Sequence, residues 1–144
     1  MVASVARDDL GARSVQLTSY GICLQNYLDT LPLAYPNITL HHAVIMPNHV
    51  HLLVSIDYNA SGAPGSSRPT QLIPRMISAL KRFTNQQAGF NLWQSTYHDH
   101  IIRSDADYLR VWNYIDTNPA KWREDRYYCD MERENDRAQP AEMP

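Results

Sequence analysis

Cysteine, glycine, long apolar runs and excess charge are all scarce in this chain of 144 residues. Two cysteines, Cys23 and Cys129, are too few for a disulfide framework and show no CxxC spacing, so a reducing, cytoplasmic setting is expected. No stretch approaches the roughly 18 apolar residues of a membrane span, and the opening MVASVARDDLGARS lacks the apolar core of a secretory signal. With 5 glycines the chain has no glycine-rich P-loop for a nucleotide triphosphate. Neither sign of charge dominates, since 13 Lys and Arg face 15 Asp and Glu for a net of −2. What remains is 44% hydrophobic and 10% aromatic, enough apolar surface for one ordered globular domain and too much for a disordered chain.

The average charge hides a division. Nine positive and eight negative residues precede Arg123, whereas four positive and seven negative follow from there on. Between residues 60 and 103, Arg68, Arg75, Lys81, Arg82 and Arg103 are opposed only by Asp99, a local basic excess able to follow a phosphate backbone. A solvated helix face explains the same residues equally well.

Along the chain, residues 1–13 are small, charged and aperiodic, and a flexible segment is expected there. A short β-prone run covers residues 14–17. Thr18 or Ser19 can cap a helix with an apolar stripe of Tyr20, Cys23, Leu24, Tyr27, Leu28 and Leu31, which Pro32 should stop. Residues 38–46 and 49–57 read as two strands joined at Pro47-Asn48. A Gly/Ser/Pro-rich loop spans 59–69, and a helix with Leu72, Ile73, Met76, Ile77, Leu80 and Phe83 on one face follows, Pro74 fitting its first turn. Residues 91–102 suit another strand, and Ser104 with Asp107 resembles a capping box opening a helix that buries Tyr108, Val111, Trp112 and Ile115.

Three groups of residues could carry chemistry. In Pro47-Asn48-His49-Val50-His51, strand alternation sends both imidazoles to one face and Val50 to the other, so the pair can hold a divalent metal. A second pair, His98-Asp99-His100, has the same spacing, but Asp99 stands where Val50 would anchor the strand, which suits a polar surface or supporting role. In Tyr114-Ile115-Asp116-Thr117-Asn118-Pro119, a helix places Tyr114 and Asn118 one turn apart on one side. Tyrosine can act as a covalent nucleophile, its phenolate favoured by a nearby cation, and an amide oxygen can complete that cation's shell. The plainer alternative is a core-edge Tyr with Asn capping the helix before Pro119.

In combination and order these pieces resemble the HUH superfamily of single-strand DNA nucleases and transposases, and within it the REP-associated tyrosine transposases. The resemblance covers residues 14–128 and rests on VIMPNHVHLLV at 44–54, LKRF at 80–83, LWQSTYHDHIIR at 92–103 and NYIDTNPAKW at 113–122. It implies an α+β fold, a ferredoxin-like antiparallel sheet with helices packed on it and the HUH motif on a central strand. It also implies His49, His51 and Asn118 as metal ligands, Tyr114 as nucleophile, and Mg²⁺ or Mn²⁺ as cofactor. The implied reaction is cleavage and rejoining of single-stranded or hairpin DNA through a 5′-phosphotyrosine. Arg68, Arg75, Lys81, Arg82, Arg103 and Lys121 are candidate DNA contacts, and Trp93, Tyr97 and Trp122 are candidate base-stacking residues. Members of the family include domain-exchanging homodimers and monomers.

Relatives carry a further strand before the region matching residues 14–18. Residues 1–13 offer no patterned candidate for it, so this first strand is expected to be missing. The catalytic domain is then expected over 14–128, followed by a charged, disordered tail over 129–144. Two other readings stay open: a catalytically impaired hairpin or single-stranded DNA-binding module, and a zinc hydrolase drawing on His49, His51, His98 and His100.

Overall fold

The computed structural model describes residues 3–7, 13–59 and 71–124. Its element order is β1 (Ala3–Arg7), β2 (Arg13–Leu17), α1 (Ser19–Ala34), β3 (Ile38–Ile45), β4 (Val50–Ile56), α2 (Leu72–Ala88) and α3 (Asp105–Thr117), closed by a 3-10 turn at Trp122–Glu124. The architecture is α+β, compatible with a ferredoxin-like fold. Among the described residues no helix is long and apolar enough to cross a membrane. Arg68, Cys129, the 59–69 loop beyond Asn59 and the tail over 129–144 lie outside the described residues.

The amino-terminal expectation is corrected. Ala3–Arg7 is a strand, antiparallel to β2 from Ala3 opposite Leu17 to Arg7 opposite Arg13, so a strand does precede residue 14. Its five residues carry a single β-branched side chain, too weak a local pattern to read alone. The pairing partner supplies what propensity does not. β3 and β4 form a second antiparallel hairpin, and among the described residues the two hairpins are not joined into one ladder.

The core lies between this β-structure and two helices. Thr18 caps α1 by accepting from the Gly21 N–H, and Leu24, Leu28 and Leu31 are buried with Met76 and Leu80 of α2, Ile38 and Ile45 of β3 and Ala3 of β1. Removing each large aliphatic side chain from water contributes roughly 1.5–3 kcal/mol. Pro32 does not stop α1. The helix runs on to Ala34, and Tyr35 N–H closes it on the Leu31 carbonyl at 2.8 Å. At this position proline costs only bonds of the last turn, while Leu28 and Leu31 hold the helix by burial.

Residues 91–102 do not form the expected strand. Side chains of α2 take their backbone instead: Lys81 Nζ donates to the carbonyls of Gln94 (2.7 Å) and Thr96 (3.4 Å), and Asn85 Oδ1 accepts from Leu92 N–H (2.8 Å). Trp93 Nε1 donates to Thr84 Oγ1 at 2.7 Å. The bonds to the Leu92 N–H and to the Gln94 and Thr96 carbonyls occupy groups that a ladder would have used.

A bulge between Leu40 and His42 decides what the hairpin presents. Leu40 and Ala43 both face the α1/α2 core although they are an odd three positions apart, and Val50, Leu52, Val54 and Ile56 join them from β4. The extra residue leaves His41 and His42 together on the opposite face with His51 and Ser55, where His41 Nε2 meets Ser55 Oγ at 2.7 Å. α3 packs on that face.

Candidate active site

The turn at Pro47-Asn48 is closed by Met46 N–H on the His49 carbonyl at 2.8 Å, with Met46 fully buried beneath it. His49 follows the turn and His51 lies two residues on in β4, their rings edge to face at 4.7 Å. His49 Nδ1 is 2.8 Å from Asn48 Oδ1, an oxygen that can only accept. This contact favours the tautomer with the proton on Nδ1 and the lone pair on Nε2, an atom withdrawn from solvent. Asn48 thus orients the His49 ring, a supporting contact that the sequence reading missed although the residue stands beside the His pair.

α3 brings the second half of the site. Ser104 caps it by accepting from the Asp107 N–H at 3.1 Å. Its apolar stripe of Tyr108, Val111, Trp112 and Ile115 lies toward the sheet as expected. On one flank of that stripe the Tyr114 ring meets His51 edge to face at 5.4 Å while remaining 50% exposed. One turn later Asn118 is only 4% exposed, its Nδ2 3.4 Å from His51 Nε2. Asn118 does cap the helix, as the plainer alternative held, but it keeps helical dihedrals despite Pro119 and points its amide at the histidine. The chain then tightens, Lys121 N–H reaching the carbonyls of Thr117 and Asn118. Trp122 is returned to lie 5.9 Å from the His49 ring, buried there and so not a free stacking platform.

Residues 67 positions apart in sequence thus converge: His49 and His51 from the hairpin, Tyr114 and Asn118 from α3. Two imidazole nitrogens and one carboxamide form a neutral donor set. Asn118 Oδ1 is withdrawn from solvent, and rotating the amide by a half-turn exchanges Nδ2 for Oδ1 beside His51. The set fits a divalent ion that accepts mixed nitrogen and oxygen ligands and keeps further positions open.

The second histidine pair is placed elsewhere. His98 is exposed, and His100 Nε2 bonds Asp107 Oδ2 at 2.8 Å at the start of α3, where Asp107 also takes Arg110. Among the described residues no three His, Cys, Asp or Glu side chains converge, so a four-histidine zinc set is not assembled. The hydrogen bond from His100, then that from Arg110, holds the Asp107 carboxyl below its ordinary value. Because the folded value is lowered, the stabilisation is complete above the unfolded value near pH 4 and is lost as pH falls through the folded one. Asp107→Asn should therefore lower the thermal midpoint at pH 7 and lose that difference as the pH falls through the lowered folded value. An equal deficit at both ends of a pH series of melts would refute the linkage.

The candidate DNA contacts are scattered. Arg75 and Arg82 are exposed on α2, a helix without acidic residues, which packs on the hairpin face opposite α3 and so stands behind the His pair. The Lys81 ammonium is committed to the Gln94 and Thr96 carbonyls. Arg103 precedes the α3 cap, and Lys121 is exposed one residue before Trp122, beside the site. Tyr97 is exposed, whereas Trp93 packs against the core and Trp112 stacks on His42.

No protein-family model matches the chain, and no solved structure gives a significant match. A Haemophilus influenzae protein described as a "Putative REP-associated tyrosine transposase" is 25% identical over 109 residues, 68% of this chain and 62% of that relative, so the chain spans less than two thirds of its length. An uncharacterized protein of the same organism is 31% identical over 137 residues, covering 82% of this chain and 74% of the relative. On that extent of identity, the chain belongs to the same family as this uncharacterized Haemophilus influenzae protein.

Proposed function

We propose that the protein is a metal-dependent transposase-type endonuclease that cuts and rejoins single-stranded or hairpin DNA by tyrosine transesterification. The observation that supports this most is the meeting of three parts at His51: its ring against Tyr114 at 5.4 Å, against His49 at 4.7 Å, and its Nε2 3.4 Å from Asn118. The similarity to a relative described as a transposase points the same way.

His49 and His51 through Nε2, and Asn118 through its amide oxygen, would hold Mn²⁺ or Mg²⁺, the former accepting imidazole more readily. When bound, such an ion supplies Lewis-acid polarisation of a non-bridging phosphate oxygen. Tyr114 Oη attacks the phosphorus as the bond to the 3′ oxygen breaks. The phenolic proton leaves to water, and the departing 3′ oxygen gains one. Tyr114 is half exposed, so the strand and water can reach the residue, while Asn118 and Trp122 are buried. The product is a 5′-phosphotyrosyl ester and a free 3′-hydroxyl. Attack by a 3′-hydroxyl on the ester reverses the step and rejoins DNA, so bond energy is kept without a nucleotide. Tyr114 and His51 meet within one chain, which supports a reading in which each protomer acts with its own tyrosine. Arg68, Arg75, Arg82, Arg103 and Lys121 remain candidates for the DNA path, and Lys81 acts through the 91–102 segment it holds.

Denaturing gels with a panel of structured single strands test the reading. With Mn²⁺, 3′-labelled strands should become protein-linked and 5′-labelled strands should yield a shorter free fragment; EDTA should stop both. Binding without any adduct would favour a DNA-binding module, and protein-free hydrolysed ends would favour a hydrolase.

A further inference from the structure

His42 lies on the same face of the hairpin as His51 but on the neighbouring strand, and nothing in the reaction above uses it. Its ring is stacked on Trp112 with centroids 4.5 Å apart and planes 22° from parallel, and its Nε2 is 3.4 Å from Asp116 Oδ1. Leu53 stands opposite it on β4, and His41 next to it meets Tyr108 at 5.8 Å, which in turn lies 6.0 Å from Trp112.

Helical geometry links this cluster to Tyr114. Trp112 and Asp116 are four residues apart and share one flank of α3, whereas Tyr114 and Asn118, also four apart, share the other, the two flanks centred about 160° apart around the axis. Ile115, 2% exposed, lies between the flanks and faces the sheet. α3 therefore straddles the hairpin, one flank on β3 at His42 and the other on β4 at His51. Contacts on both flanks resist rolling of the helix about its axis, which an apolar stripe alone, being non-directional, would not. A roll of about 10° moves a tyrosine hydroxyl by roughly 1–2 Å, and misplacement of about 1 Å can cost on the order of 10²-fold in a reaction that depends on alignment.

We propose that His42 is a positioning residue: by stacking on Trp112 it sets the roll of α3 and so holds Tyr114 against His51. This rests on Tyr114 being the nucleophile for its catalytic consequence, but not for its structural one. The stack is the principal element, because Asp116 is 63% exposed and His42 Nε2, itself withdrawn from solvent, makes no hydrogen bond with it. The bulge at Leu40/His42 gives His41 and His42 one face, so it is part of the same device.

Two readouts on the full chain separate the proposal from the function it serves. The first is the cross-relaxation between the ring protons of His51 and Tyr114, measured by NMR without metal or DNA. The second is the single-turnover rate of adduct formation at saturating oligonucleotide and Mn²⁺. His42→Ala should weaken the cross-peaks severely and slow the single-turnover rate about 30–100-fold, with DNA and Mn²⁺ affinities unchanged within about twofold and the far-UV spectrum retained. His42→Phe, which keeps a flat ring for Trp112, should restore the cross-peaks and most of the rate. Should His42→Ala lose its fold, His42→Gln compared with His42→Phe makes the same test. Undiminished cross-peaks in the folded variant without the ring overturn the proposal. So does a rate loss matched by equal loss of DNA affinity. Absence of any adduct with wild-type protein would instead refute the transesterase reading, leaving the cross-peaks to decide the role of His42.

Discussion

Tyr114→Phe is expected to abolish the covalent protein–DNA adduct while leaving DNA binding within about twofold of wild type. The substitution removes one oxygen and keeps the ring, so the edge-to-face contact with His51 at 5.4 Å survives and α3 has no reason to move. Tyr114 is half exposed and its ring is kept, so the melting temperature should change little. The chemical effect is large because no other group replaces a covalent nucleophile; losses on the order of 10⁴-fold or more accompany such removals. The check is a denaturing gel with 3′-labelled DNA beside a binding measurement on the same preparations. Adducts persisting in the Phe variant would assign the nucleophile elsewhere, with Tyr97 and Tyr108 as the next side chains to test.

His51→Ala is expected to be the most damaging change to the metal site, with His49→Ala close behind. Each removes one of three proposed donors, and the loss of a single group that stabilises developing charge costs roughly 10²–10³-fold. His51 carries a further burden, since it touches Tyr114, His49 and Asn118 together, so its removal also loosens the alignment of the nucleophile. Mn²⁺ affinity measured by calorimetry should fall in both variants, and the residual rate should lose its metal dependence. His100→Ala is the control. His100 is held by Asp107 at the far end of α3, so that variant should titrate with Mn²⁺ as wild type does. An unchanged titration in His49→Ala and His51→Ala, with a changed one in His100→Ala, would move the metal to the other pair.

These expectations draw unequally on sequence and structure. The two imidazoles could be read directly, because a period-two strand puts residues 49 and 51 on one face whatever surrounds them. The pairing of Tyr114 with Asn118 followed equally from helical spacing. The helix caps at Thr18 and Ser104 and the apolar stripes of all three helices were local patterns as well, and apart from the exposed Phe83 they are where they were expected. Local pattern misled where distant groups satisfied the backbone. β1 exists because β2 pairs with it, residues 91–102 are held by Lys81, Thr84 and Asn85 in place of a ladder, and Pro32 is carried inside a helix held by buried leucines.

The chemistry of the candidate site, then, was determined by the sequence: which donors, which hydroxyl, and their spacing within each element. Only the tertiary structure decided which pair of histidines meets the tyrosine. His98 and His100 match the spacing of His49 and His51, but α3 crosses the face of β3 and β4 and sets Tyr114 and Asn118 against His51. The physical reason is that periodicity fixes the direction of a side chain relative to its own element, whereas the bulge at His42, the stacking of Trp112 and the burial of Ile115 fix where the elements lie relative to one another.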